Sequence, residues 1–453
     1  MNGQGLAAAA RLLHARHLGA DAVFRSVSID TRTLEAGALF VAVRGPRFDG
    51  HDFVAEAEGR GAAGAMVSRA VQVRCPQLVV RDTRAALGAL AAHRRANLAI
   101  PVVAITGSNG KTTVKELVAA ILGVQGEVLA TRGNLNNDLG VPLTLLRIGP
   151  AHRYAVIEMG ANHPGEIAGL SRIAVPTVAL ITNAGPAHLE GFGSVEGVAR
   201  AKGEIFQGLR AGGVAVINAD DVHAGLWRSL AEAAGCRVSS FGAEHPAAVR
   251  AVRCVAQADA TTRFALETPA GSVDIHLPLP GRHNVLNAAA AAAAALAAGV
   301  DLAAIRRGLE SARGVAGRLQ TQTGVAGARL IDDTYNANPG SLRAALETLT
   351  TFPGVHWLVL GDMGELGAEA PGLHADAGRV AREVGVERLF AVGALSRDAV
   401  QAFGPGARHF PDRDALVTAV RAALRPEVTV LIKGSRFMGM ERVVQALQVE
   451  AGR

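Results

Sequence analysis

The chain is 453 residues long, 49% hydrophobic and only 19% charged, which points to two to four packed domains and excludes a disordered polymer. Its formal net charge of +6 comes from basic residues dispersed among nearly as many acids, with 4% aromatics and no basic block. That pattern argues against nucleic-acid binding and leaves a mildly cationic surface suited to a small polyanionic substrate.

The first thirty residues break every apolar run with Arg, His or Asp, so no signal peptide is expected. The run Ala288 to Val300 is alanine-dominated and too short to span a bilayer; it reads as a buried helix. Cys75, Cys236 and Cys254 are scattered, lack metal-ligand spacing and suit packing roles in a reducing compartment. A cytoplasmic monomer without membrane insertion is expected. Of 46 basic residues only Lys111, Lys115, Lys202 and Lys433 are lysines. A chain that otherwise uses arginine for positive charge keeps lysine where an ammonium on a flexible stem is needed, which marks Lys202 and Lys433.

Residues 1–98 read as a small α/β unit with strands near Ala38–Val43, Ala65–Val67 and Leu78–Val80. Ser28, Asp30, Thr31 and Arg32 precede the first of these strands, and Arg47, Asp49 and His51 follow it. Polar groups gathered at strand ends are candidates for binding a ligand, although loops are polar in any case.

Residues 99–313 form the second unit. The strand Pro101–Ile105 leads into Gly107, Ser108, Asn109 and Gly110, and then Lys111, Thr112 and Thr113 open a helix. Loop amides, a helix N-terminus, an ammonium and a hydroxyl together suit a nucleotide phosphate and its Mg²⁺. The spacing Gly-x-x-Gly-Lys-Thr is shorter than the usual phosphate-loop pattern. Apolar strands at Tyr154–Ile157, Thr177–Ile181 and Val214–Ile217 alternate with helices, the pattern of a doubly wound, mostly parallel sheet. Ligands in such sheets bind at the strands' carboxyl ends. There Glu158 is either a Mg²⁺ ligand or a helix cap, and His188 either a metal ligand or a structural residue. Asn134, Asn136 and Asn137 make either a turn-rich loop or an amide site for a polar ligand. Asn284 and Asn287 lie three apart on one helix face and could read a purine edge; capping would explain only the first.

Residues 314–453 read as a third, Rossmann-like α/β unit without a dinucleotide fingerprint. Strands are expected at His356–Leu360, Arg388–Val392 and Val428–Ile432, and another ends at Asp332 and Asp333. Polar clusters again sit at strand ends, including Asn336, the segment Gly361–Gly367, and Lys433, Ser435 and Arg436.

The segment Thr106–Thr113 resembles the phosphate loop of the ATP-dependent Mur ligases and their folylpolyglutamate synthase relatives. Segments Ser28–Phe53, Gly133–Leu146, Val156–Asn162, Ile181–Phe206, Gly281–Ala288, Gly317–Gln320, Ile331–Ser341, Gly361–Gly367 and Leu431–Met440 fit that family in order. The asparagine triple and the Tyr335–Pro339 turn resemble the branch that adds D-alanyl-D-alanine to UDP-N-acetylmuramoyl-tripeptide (UDP-MurNAc-tripeptide). The resemblance implies three domains: one for the UDP substrate, one for ATP, and one that closes over the site and admits the dipeptide. It implies that Lys111 holds ATP phosphates, that Thr112 and Glu158 ligate the first of two Mg²⁺ ions, and that His188 belongs near the second. It implies adenine contacts from Asn284 and Asn287, a phosphate contact from Arg318, a ribose contact from Asp333, and a carbamylated Lys202. A salt bridge of Lys202 with Glu204 is the alternative. Lys433, Ser435 and Arg436 are expected at the acyl phosphate or the dipeptide carboxylate. The rivals are another amide ligase of the superfamily and a phosphate-loop NTPase that ligates nothing.

Overall fold

The computed structural model describes residues 3–257 and 259–449. Three sheets carry the architecture. The first runs in the order Arg16–Leu18, Gln77–Val79, Gly64–Val67, Ala38–Val41, Ser26–Ser28, parallel except at its first strand. The second has nine strands, in the order Gly271–Leu277, Thr262–Thr268, Val249–Ala256, Arg237–Gly242, Val214–Asn218, Val178–Ile181, Val102–Thr106, Tyr154–Glu158, Val128–Ala130. The third has six, in the order Gln320–Thr323, Arg329–Asp333, Val428–Lys433, Val355–Gly361, Arg388–Val392, Ala407–Phe410. The expected α/β class with mostly parallel sheets is borne out.

The central parallel strands of both larger sheets are buried on both faces, which is why they read as continuous apolar runs. Along Val102–Thr106, Val102 and Ala104 pack into one core while Val103 and Ile105 pack into the other. Along Val355–Gly361, Leu358 and Leu360 face one core and Trp357 and Val359 face the opposite one. Five strands of the central sheet escape the sequence reading: Val128–Ala130, Arg237–Gly242, Val249–Ala256, Thr262–Thr268 and Gly271–Leu277. The last three pair antiparallel, and exposed residues interrupt the buried ones along each, so no continuous apolar run marks them. The alanine run is buried along the helix Arg282–Ala297, packed against the helix Lys111–Gly123 that follows the phosphate loop. Among the described residues no helix is long and apolar enough to cross a membrane. Cys254 is exposed, contrary to the packing role expected of it.

The helix Thr83–Ala96 ties the first sheet to the second. Asp82 caps it, accepting from the N–H groups of Arg84 and Ala85. Near its other end the buried Arg95 donates to the carbonyls of Ala174 and Val175 at 2.8 and 3.0 Å, satisfying the orphan acceptors at the end of a neighbouring helix.

Behind the phosphate loop, the helix Leu302–Glu310 approaches the helix Lys111–Gly123 so closely that a Cβ at Gly308 would overlap the Ile121 backbone. Gly308→Ala is therefore expected to destabilise the protein by about 1–3 kcal/mol through overpacking. Urea unfolding of the variant checks this, and unchanged stability would show that the two helices can move apart freely.

Candidate active site

Register brings three strand ends of the central sheet side by side. Thr106 pairs with Ile181, and Ile105 with Glu158, so the phosphate loop, Glu158 and the Thr182–Asn183 turn emerge at one edge. The loop follows the path it does because two residues lack a Cβ. A Cβ at Gly107 would overlap the Thr182 hydroxyl, and one at Gly110 (φ +80°) would press on the Asn287 amide. Asn109 is held by its backbone: its N–H donates to Asn183 Oδ1 at 2.9 Å, and its carbonyl accepts from Thr182 Oγ1 at 2.6 Å. Ser108 Oγ donates to the carbonyl of Gly185. Lys111 folds back on the loop, its ammonium donating to the Gly107 carbonyl at 2.6 Å; burial lowers its pKa.

Two cavities flank this loop and share Asn109, Gly110, Arg318 and Ser341. The first, of about 320 Å³, is lined by Lys111, Thr112, Asn134, Asn136, Asn137, Glu158, His188, Lys202 and Asn336. Glu158 does not cap a helix. Its Oε1 accepts from Asn136 Nδ2 at 2.8 Å, while Oε2 is buried without a hydrogen-bond partner. A buried, half-satisfied carboxylate is what a hard cation needs, and it sits beside the Thr112 hydroxyl in the same cavity. Among the described residues no three His, Cys, Asp or Glu form a metal cage. This fits Mg²⁺, which takes few protein ligands and completes its shell with phosphate and water.

Lys202, on the helix Val195–Gly203, is 2% exposed. Burial, and after it the charge of Lys111, lowers its pKa to about 7. Its alternative partner Glu204 is engaged elsewhere, accepting from the N–H groups of Gly165 and Ala168. Of the asparagine triple, Asn136 orients Glu158. Asn137 takes part in the turn, its Oδ1 accepting from the N–H of Gly140 at 2.9 Å, and also lines the first cavity.

The second cavity, of about 400 Å³, is lined by Thr113, His283, Asn284, Asn287, Arg318, Asp333 and Lys433. Asn284 does not cap its helix; it donates to the Pro280 carbonyl and accepts from Asn287 Nδ2 at 3.1 Å, so the two amides form one polar unit. His283, passed over in the sequence, has its pKa lowered to about 4, chiefly by burial, and stays neutral at physiological pH.

Lys433 bonds the buried Asp333 carboxylate and the Asn336 carbonyl, and lines the second cavity. Ser435 is 4% exposed, with its hydroxyl donating to the Ala337 carbonyl and accepting from the N–H of Gly364, so it braces two loops. Arg436 is exposed and stacks over Tyr335 at 5.5 Å, while Arg318 lies against the same ring at 4.2 Å.

The first unit's candidates line neither cavity. Ser28 donates to the Asp30 carbonyl, and the Asp30 carboxylate pairs with Arg32 at 2.6 Å. His51 is buried: Nδ1 meets Asp49 at 2.6 Å, and Nε2 accepts from the Ser68 N–H at 2.9 Å, which assigns the proton to Nδ1. Asp49 also accepts from Arg69. Asp49 and His51 thus brace their loop. Thr31 is buried, while Arg47 and Arg32, the latter paired with Asp30, are exposed.

Sequence reasoning also missed Glu365, which lines the first cavity and meets His188, and Asn338, which reaches Asn109 from the third sheet. Both lie in polar strand-end loops, but their partners are distant in sequence.

Three family descriptions match successive parts of the chain: the Mur ligase family catalytic domain at residues 23–95, the Mur ligase middle domain at 105–295, and the Mur ligase glutamate ligase domain at 317–436. The UDP-N-acetylmuramoyl-tripeptide--D-alanyl-D-alanine ligase of Escherichia coli is 47% identical over 440 residues, covering 96% of each chain. A crystal structure of MurF from Acinetobacter baumannii superposes with a TM-score of 0.92 at 38% identity, covering 98% of each chain. The MurF ligase of Thermotoga maritima in complex with ADP gives 0.82 at 28% identity, covering 93% of this chain and 96% of that one.

Because Asn136 holds one Glu158 oxygen, Asn136→Ala is expected to weaken the Mg²⁺ dependence of ADP binding by about 10–100-fold. Calorimetric titration at several Mg²⁺ concentrations measures this, and a wild-type Mg²⁺ dependence would remove Asn136 from the site's support.

Proposed function

The chain belongs to the Mur ligase family, and from that premise we propose that it joins D-alanyl-D-alanine to UDP-MurNAc-tripeptide at the expense of ATP, forming an amide bond in peptidoglycan precursor synthesis. The observation that carries the chemistry is the gathering of Lys111, Glu158 and Lys202 around one cavity beside the phosphate loop. The reaction belongs in the cytoplasm, where ATP is available, on a monomer with domains divided near residues 98 and 313.

In this mechanism the tripeptide carboxylate attacks the γ-phosphate of ATP, giving ADP and an acyl phosphate. The free amine of the dipeptide then attacks the acyl carbon, and phosphate leaves. Phosphoryl transfer of this kind requires positioning and charge neutralisation more than covalent help from the protein. The loop amides and Lys111 hold the β- and γ-phosphates. Asn284 and Asn287 contact adenine, Asp333 the ribose, and Arg318 a phosphate. Arg32 and Arg47, both exposed, attract the UDP diphosphate, and Arg436 meets the acyl phosphate or the dipeptide carboxylate.

Two Mg²⁺ ions, when bound, neutralise charge on the transferring phosphoryl group. Thr112 and the unpartnered Glu158 oxygen would hold the first, and His188 would lie near the second. Lys202 serves as a carbamate: its free amine adds CO₂ and releases a proton, giving an oxygen ligand on a long stem. A pKa near 7 favours this, because the reactive free amine is then well populated at neutral pH. Arginine cannot be converted in this way.

Two measurements test the assignment. Phosphate release in the presence of ATP is expected to require both UDP-MurNAc-tripeptide and D-alanyl-D-alanine; release indifferent to the dipeptide would point to another ligase or a simple NTPase. Lys202→Ala is expected to lose activity by about 10²–10³-fold, with partial recovery on adding formate or acetate. An unrescued variant with full activity would eliminate the carbamate.

A further inference from the structure

The cavity that holds Lys111, Glu158 and Lys202 is closed on one side by the third sheet's loops, and one contact there has no counterpart in the chemistry already assigned. His188 lies on the loop after the strand Val178–Ile181, and Glu365 on the loop after Val355–Gly361. His188 Nδ1 and the Glu365 carboxylate meet at 2.7 Å, and both residues line the cavity. Each has a left-handed backbone, φ +55° at His188 and +62° at Glu365, a conformation that non-glycine residues avoid unless their surroundings impose it. Two such residues, from separate sheets, are held where their side chains meet.

The Glu365 side chain is 59% exposed, so the pair contributes little to stability. Its consequence is orientation. A carboxylate on Nδ1 fixes the proton there and leaves Nε2 as the lone-pair nitrogen, the arrangement by which carboxylates commonly orient ligand histidines. The supporting structure is in place. The N–H of Gly364, next to Glu365, donates at 2.8 Å to Ser435, which in turn donates to the Ala337 carbonyl. Nearby, Asn338 Nδ2 donates to Asn109 Oδ1 at 2.8 Å, docking the third sheet's helix cap onto the phosphate loop.

We infer that Glu365 is a positioning residue supplied across the domain boundary: it sets the tautomer and orientation of His188. The catalytic part of this inference rests on the ligase function proposed above, while the orientation of the ring can be measured independently of it.

The test uses full-length protein with ¹⁵N-labelled histidine, in ADP and Mg²⁺, comparing wild type, Glu365→Gln and Glu365→Ala. Imidazole ¹⁵N shifts are expected to report the Nδ1–H tautomer of His188 in wild type and in Glu365→Gln, whose amide oxygen can still accept. Glu365→Ala is expected to shift His188 toward the other tautomer and to lower kcat/KM by about 10–100-fold, with Glu365→Gln largely restoring it. In a His188→Ala background, Glu365→Ala should cost nothing further. An unmoved tautomer in Glu365→Ala overturns the inference, as does a full additional loss in the His188→Ala background. If wild type itself releases no phosphate with all three substrates present, the ligase assignment fails, whereas the tautomer result still decides the positioning role.

Discussion

Lys202 is buried within electrostatic reach of Lys111, and the rest of the site can be understood as a response to that constraint. Two ammonium groups removed from water near each other are costly, and a protein answers by neutralising one, pairing one or supplying an anion. The lowered pKa of Lys202 shows the first answer. Lys111 turns to loop carbonyls, and Glu158 stands in the same cavity with one oxygen held by Asn136 and the other without a partner. A site with surplus positive charge around the loop and one unsatisfied carboxylate is complementary to a phosphate chain carrying a divalent cation. The same logic makes a carbamate at Lys202 chemically economical, since it replaces the problematic cation with an anion.

This arrangement depends on the sheets before it depends on the loops. Parallel register places Thr106, Glu158 and Ile181 at one edge, and strand-end residues there have short loops with little freedom. Asn109 shows the outcome: its N–H and carbonyl are fixed by Asn183 and Thr182, and its side chain reaches the cap of a helix that belongs to the third sheet. The phosphate loop is therefore a joint as well as a cradle. Docking the third sheet bears on the phosphate loop through Asn338 and on the His188 loop through Glu365.

Much of this was legible in the sequence. Strands buried on both faces write continuous apolar runs, so Val102–Thr106, Tyr154–Glu158 and Val428–Lys433 were found within a residue or so of their ends. The phosphate loop was legible because its chemistry is local, with glycines, lysine and threonine adjacent. The antiparallel strands Val249–Ala256, Thr262–Thr268 and Gly271–Leu277 were not, because exposed faces interrupt their apolar pattern. Contacts between distant segments were equally hidden. Nothing near Lys433 announces Asp333 one hundred positions away, nothing at Ser435 shows that its hydroxyl is spent on Gly364 and Ala337, and nothing at Asp49 shows that it is committed to His51 and Arg69.

Lysine usage connects sequence and site. Lys115, Lys202 and Lys433 are each no more than 2% exposed, and Lys111 is partly buried with its head against the loop. Lys115 donates to the Thr131 carbonyl, and the Thr131 hydroxyl accepts the N–H of Glu158, so even the lysine without a proposed chemical role supports the Glu158 strand end. Arginine would not fit these positions: its planar fork presents five donors that must all be satisfied when buried, whereas an ammonium on a slender stem can be accommodated by two or three acceptors. Where a fork suits the geometry the chain uses it, as at Arg318 and Arg436 on the Tyr335 ring, or at Arg95 spanning three carbonyls. Lys115 and Lys433 thus occupy positions that suit a compact buried donor, and Lys202 is buried with its pKa lowered toward a neutral amine.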